Sequence, residues 1–157
     1  MGFSIQDLLH EDAVIVNLEA SDYEEVIKKL EDVAFENGYV ERGYANAVIE
    51  RERLYPTALP TEPFKVAIPH PMEQNTVKKS TIVIAKLANS VNFVEMGTED
   101  VPCPVDMVFA LAVCGTEDQL TILQDLIGLF SNQEAMLKLQ SANTPADIVA
   151  AITELIG

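Results

Sequence analysis

His70 is the residue best placed for chemistry. It sits in Val66-Ala67-Ile68-Pro69-His70-Pro71, just past a short apolar run that reads as a strand. The prolines on either side fix φ and remove two backbone donors, so the imidazole is carried on a stiff mount at the edge of a sheet. A neutral imidazole is nucleophilic near pH 7, and histidine can form a covalent intermediate. The same pattern also fits a loop histidine with no role, and spacing alone leaves both readings open. The rival nucleophile is Cys114. Cys114-Gly115-Thr116 follows an apolar strand and opens a helix, a position whose backbone N–H groups suit a thiolate or a phosphate. Glu117 and Asp118 follow at once and oppose both a thiolate and a bound anion. The two histidines and two cysteines (His10, His70, Cys103, Cys114) include no close ligand pair, so no metal is expected. No Gly-rich phosphate loop, nucleophile elbow or dinucleotide fingerprint occurs.

Charge sharpens the picture. The 157 residues carry a net charge of −15. Such a chain is repelled by nucleic acid and by anionic membrane surfaces. Six bases fall between positions 51 and 86 (Arg51, Arg53, Lys65, Lys78, Lys79, Lys86) against three acids (Glu52, Glu62, Glu73). That stretch is +3 and the remainder −18. Chance clustering explains this as well as an anion site does. The sharper expectation is a neutral or positive patch around His70.

The elements that must position these residues follow from periodicity. Residues 13–18 are a short β-branched run that reads as a buried strand. A helix follows, with Ser21 as N-cap, Glu24 completing a capping box, and Val26, Ile27, Leu30, Val33 and Ala34 as its apolar stripe. Gly38 stops it. A second helix is predicted over about 41–53, with Ala45, Val48 and Ile49 inward. Pro56, Pro60, Pro63, Pro69 and Pro71 make the middle a loop, broken by a strand at 65–68. Residues 81–87 form a strong strand and 91–93 a second. Residues 105–113 are almost wholly apolar, as in a strand covered on both faces. A helix over 117–130 is assigned the stripe Leu120, Leu123, Ile127 and Phe130. Ser131 caps a further helix to about 139. Thr144, Pro145 and Asp147 open a last one. The chain thus reads as one domain of 1–157, an α/β layered fold. No apolar run reaches the roughly 20 residues needed to cross a bilayer. The start, with no basic or apolar leader pattern, and the scarcity of cysteine point to the cytoplasm.

Taken in order, these segments resemble a known family. Val66-Ala67-Ile68-Pro69-His70 looks like the active-site motif of the mannitol–fructose superfamily of IIA proteins of the phosphoenolpyruvate-dependent sugar phosphotransferase system. Glu50-Arg51-Glu52 is similar to that family's Arg-Glu pair upstream of the active-site loop. Val91-Asn92-Phe93 with Met96-Gly97, then Val105 to Val113, resembles the galactitol-type branch. The resemblance spans essentially the whole chain.

It implies a mixed β-sheet with helices packed on both sides. It implies a phosphocarrier that accepts a phosphoryl group from phospho-HPr on Nε2 of His70. The group would pass to a cysteine of a IIB partner, which phosphorylates a sugar or polyol, galactitol-like, entering through a IIC membrane permease. Arg51 matches the family's arginine, and a guanidinium pairs well with phosphate oxygens. No cofactor is implied. Many members carry a second histidine at the start of the helix after the long strand. Gln119 stands here, able to donate a hydrogen bond but not to carry charge. Arg51 and Gln119 are therefore both expected near the His70 ring, and His70 itself is expected to be exposed. The alternative reading is a phosphorylation-dependent regulatory or binding module of the same fold.

Overall fold

The computed structural model describes residues 4–156. The first residues, on which the expectation about a leader rests, lie partly outside them. Five strands form one mixed sheet: β1 (Val14–Leu18), β2 (Ala58–Leu59), β3 (Val66–Ala67), β4 (Thr81–Val94) and β5 (Pro102–Ala112), in the order β1-β4-β5-β3-β2. β1 runs parallel to β4 and β3 parallel to β5, whereas β4–β5 and β2–β3 are antiparallel. Among the described residues are five α-helices: α1 (Tyr23–Glu36), α2 (Tyr44–Leu54), α3 (Thr116–Phe130), α4 (Gln133–Ser141) and α5 (Pro145–Ile156), with two 3-10 turns at Ile5–Leu8 and Glu11–Ala13.

Side chains alternate across a strand, so β4 and β5 feed two separate apolar layers. Ile82, Ile84, Phe109 and Leu111 pack with α3, α4 and α5 on one face. Val83, Ala85, Val108 and Ala110 pack with α1 and α2 on the other. This is the mixed sheet with helices on both sides that the family resemblance implies. Both faces being covered explains why β5 reads as a continuous apolar run.

Several local expectations shift. The N-cap of α1 is Asp22, whose side chain accepts from the Glu25 N–H, while Glu25 reaches back to the Ser21 N–H. The box is one residue later than Ser21 and Glu24. Asn132, not Ser131, caps α4. Thr144 does cap α5, accepting from the Asp147 N–H. Residues 81–87 and 91–93 belong to one strand, whose register slips between Lys86 and Val91. β2 was not anticipated. The α3 stripe holds in part: Phe130 is buried and Leu123 half-buried, but Leu120 and Ile127 are exposed, and Ile122, Leu126 and Leu129 take the inward positions. α2 starts at Tyr44 on Gly43, whose φ is +105°. Its first turn is secured from outside, because the buried Glu31 carboxylate accepts from the N–H groups of Gly43 and Ala45. That anchor matters, since α2 carries Arg51 and Glu52.

Candidate active site

His70 lies where three elements end together. β3 stops at Ala67, and the Pro69 carbonyl accepts from the Leu111 N–H near the end of β5, at 2.9 Å. The Leu111 carbonyl in turn accepts from the buried Tyr44 hydroxyl at 2.6 Å. β4 begins alongside, with Thr81 opposite Ala112. The proline-flanked mount is therefore tied to β5 through Pro69.

The ring is more enclosed than expected. His70 is only 5 % exposed, because Ile68, Pro69 and Pro71 around it are buried too. Its Nδ1 lies 2.8 Å from the Ile68 carbonyl. A carbonyl only accepts, so Nδ1 carries the proton and the Nε2 lone pair is free. Nε2 has no hydrogen-bond partner, and it is not among the fully buried unpartnered side-chain atoms, which among the described residues are His10 Nε2 and Thr76 Oγ1. Nε2 therefore keeps some contact with solvent. Burial pushes the His70 pKa down to about 4, the Arg51 charge pushes the same way, and the bond to Ile68 opposes both. The imidazole is neutral throughout the physiological range.

Arg51 is half-buried, its guanidinium bonded to the Tyr55 carbonyl at 3.2 Å and lying over the Tyr55 ring. It forms one wall of a hollow of about 660 Å³, with Glu50, Arg53, Leu54, Met72 and Glu73. His70 is not a lining residue; Arg51, and Met72 two positions past the histidine, bring the hollow to its edge. Gln119 sits at the start of α3, where its side-chain carbonyl accepts from Gln74 at 3.1 Å. Its partner is thus the loop after His70, and no hydrogen bond joins it to the ring.

The positive segment divides. Arg51, Lys78 and Lys79 stand at the His70 end of the sheet. The Lys78 and Lys79 N–H groups hold the Tyr39 carbonyl, and the Lys79 ammonium lies over the Tyr39 ring. Lys65 stands before β3, at the end of that strand away from His70, its carbonyl accepting from the Asp106 N–H. Lys86 is committed elsewhere, its ammonium donating to the carbonyls of Leu139, Gln140 and Ala142 at the end of α4. Only part of the charge cluster faces the site. Cys114 is exposed and its N–H donates to the Ser80 hydroxyl. The Asp118 carboxylate folds back over Gly115, 3.4 Å from where a β-carbon would stand, so an acid already occupies that helix start. Among the described residues no group of three His, Cys, Asp or Glu could hold a metal.

Two further residues stand near the site: Thr57, which the sequence does not single out, and Glu52, which the family resemblance marks only as part of the Arg-Glu pair. Glu52 is 5 % exposed and Thr57 1 % exposed, and they are bonded to each other twice. The signal for Glu52 was present: it falls in phase with Ala45, Val48 and Ile49, on the apolar stripe of α2. An acid on such a stripe is a buried acid, and a buried acid needs partners.

Comparison with known proteins agrees with this architecture. Residues 7–155 match the family described as phosphoenolpyruvate-dependent sugar phosphotransferase system, EIIA 2. The galactitol-specific EIIA component of Escherichia coli K12 is 32 % identical over 107 residues, covering 68 % of this chain and 70 % of its own. The mannitol-specific IIA component of Bacillus subtilis is 29 % identical over 150 residues, covering 94 % and 98 %. In fold, the chain is similar to the Escherichia coli mannitol IIA in complex with phosphorylated enzyme IIB, with a TM-score of 0.76 at 21 % identity, over 93 % of this chain and 97 % of that one. The match runs nearly end to end, and the chain belongs to the EIIA 2 family of the phosphoenolpyruvate-dependent sugar phosphotransferase system, whose members are phosphotransferases.

Proposed function

We propose that His70 is the phosphoryl acceptor of this carrier and that the reaction occurs at Nε2. The observation that supports this most is the Nδ1 tether to Ile68, which leaves a single lone pair, on the nitrogen that meets solvent. In the forward step the Nε2 lone pair attacks phosphorus of phospho-HPr. The new N–P bond forms as the donor's N–P bond breaks, and the electron pair returns to the donor imidazole. A cysteine thiolate of a IIB partner then takes the group, the S–P bond forming as the Nε2–P bond breaks. Arg51 neutralises charge on the equatorial oxygens, the main demand of phosphoryl transfer. Nitrogen-to-nitrogen exchange is close to balanced, which suits a carrier. Gln119, reoriented from Gln74, supplies at most an uncharged donor.

The 32 % identity to a galactitol-specific component favours a galactitol-like polyol as the transported substrate, with the carrier working in the cytoplasm beside a IIC permease. The decisive experiment is incubation with phosphoenolpyruvate, enzyme I and HPr. The expected result is a mass gain of one phosphate, lost on brief acid treatment as phosphohistidine is, and absent in His70→Ala. Undiminished phosphorylation of His70→Ala would move the nucleophile elsewhere, with Cys114 next to test. A phospho-form that passes its group to no IIB would mark a regulatory module instead.

A further inference from the structure

We infer that Glu52 and Thr57 are positioning residues that fix the tautomer of His70 through the backbone of Ile68; the inference rests on the reading of His70 as the acceptor. The β2–β3 ladder ends at the Ala58–Ala67 pair. The next donor along β3, the Ile68 N–H, has no strand opposite and is received by the Thr57 hydroxyl at 3.2 Å. The other side of the same residue, the Ile68 carbonyl, holds His70 Nδ1 at 2.8 Å. Thr57 is held by Glu52, whose Oε1 accepts from the hydroxyl and Oε2 from the Thr57 N–H, both at 2.9 Å. Every member of this chain is buried.

The direction of each bond is determined. An amide N–H only donates, so Thr57 Oγ1 must accept from Ile68. Its one proton then goes to Glu52. Glu52 accepts on both oxygens, as a carboxylate does; burial pushes its pKa up, and the two Thr57 bonds and the Arg51 charge oppose that and favour the ionised form. The carboxylate therefore orients the hydroxyl, the hydroxyl holds the Ile68 backbone, and that residue's carbonyl selects the proton on Nδ1. Without the hydroxyl, the Ile68 N–H is buried without an acceptor and the Ala67–Ile68 peptide turns to find one. The Ile68–Pro69 peptide is joined to it at the Ile68 Cα and shifts with it, and its carbonyl then releases Nδ1. The ring becomes free to carry its proton on Nε2, and that tautomer has no lone pair for phosphorus.

The test uses Thr57→Val, which keeps shape and removes the hydroxyl, and Thr57→Ser, which restores it. Imidazole ¹⁵N shifts of His70 in the unphosphorylated protein near neutral pH report the tautomer directly. The expected result is a single Nδ1–H tautomer in wild type and Thr57→Ser, and a mixture in Thr57→Val. Phosphorylation by phospho-HPr should fall roughly tenfold in kcat in Thr57→Val, with KM unchanged. A single unchanged Nδ1–H tautomer in Thr57→Val overturns the inference, whatever its stability. If Thr57→Val does not fold, Thr57→Ala, which also removes the hydroxyl, carries the same measurement. Unchanged ring shifts there also overturn it. The tautomer is read without any phosphoryl group, so absence of phosphate on wild-type His70 would sink the functional reading separately.

Discussion

Replacing His70 with glutamine should change how stability depends on pH. In the folded protein the ring titrates at about 4, against an ordinary 6.5, mainly through burial and then through Arg51. Between those values the unfolded chain binds a proton that the folded chain refuses. Wild-type stability from this group is therefore complete above about pH 6.5 and is lost progressively as pH falls toward about 4. A displacement of that size corresponds to roughly 3 kcal/mol across the window. His70→Gln removes the titration while its amide can still face the Ile68 carbonyl. Carboxylates also titrate at the acid end, but they are common to both proteins, so the difference between the two curves isolates the histidine. Urea unfolding from about pH 7.5 to about pH 4.5 should show wild type losing roughly 2.5 kcal/mol more than His70→Gln. Parallel curves would mean that the fold does not hold the ring neutral. The argument for a ready nucleophile would then lose its electrostatic basis.

Arg51→Met should slow phosphoryl transfer by roughly 1.5–3 kcal/mol, the worth of one charge-assisted hydrogen bond. It should also raise the His70 pKa without restoring the ordinary value, because burial is the larger cause; an unchanged rate and an unchanged NMR titration would make Arg51 a bystander. Gln119→His should accelerate transfer in rapid-quench assays by adding a cationic donor beside Gln74, and an unaltered rate would show that glutamine already suffices. Lys86→Met strips three carbonyls at the end of α4 of their shared donor. It should lower stability by roughly 1–2 kcal/mol in denaturant while phosphorylation proceeds normally; a stability unchanged from wild type would show that water replaces the ammonium at no cost.

The periodic parts of the fold were legible because burial imposes a strict phase on them. The β5 run, the α1 stripe and the strand at the head of β4 are all recovered. Helix starts slipped by one residue at Ser21 and Ser131 because an equally good capping side chain, Asp22 or Asn132, stands next to each. α3 was mis-phased in part because apolar residues occur on more than one side of it, and only the packed neighbours show that Ile122 and Leu126 face inward. β2 is two residues long, too short for any alternation to register. At the site, the strand-then-Pro-His-Pro pattern located His70 correctly but not its depth, since enclosure comes from long-range contacts such as that between Pro69 and Leu111. The charge cluster was only half informative. Sequence proximity placed Lys65 and Lys86 beside Arg51, while the strands carry both away from the His70 end.

The narrowness of the opening at His70 has a kinetic corollary. A ring 5 % exposed, with one nitrogen engaged and one facing out, offers a single berth. For the proposed carrier, the donor that loads the group and the acceptor that unloads it must use that berth in turn. Throughput is then limited by how quickly each visitor departs, and long-lived complexes with either one would stall the traffic. Selection on such a protein would favour brief, fast-dissociating encounters over tight ones. The relative abundance of the two visitors would then divide the carrier's time between filling and emptying.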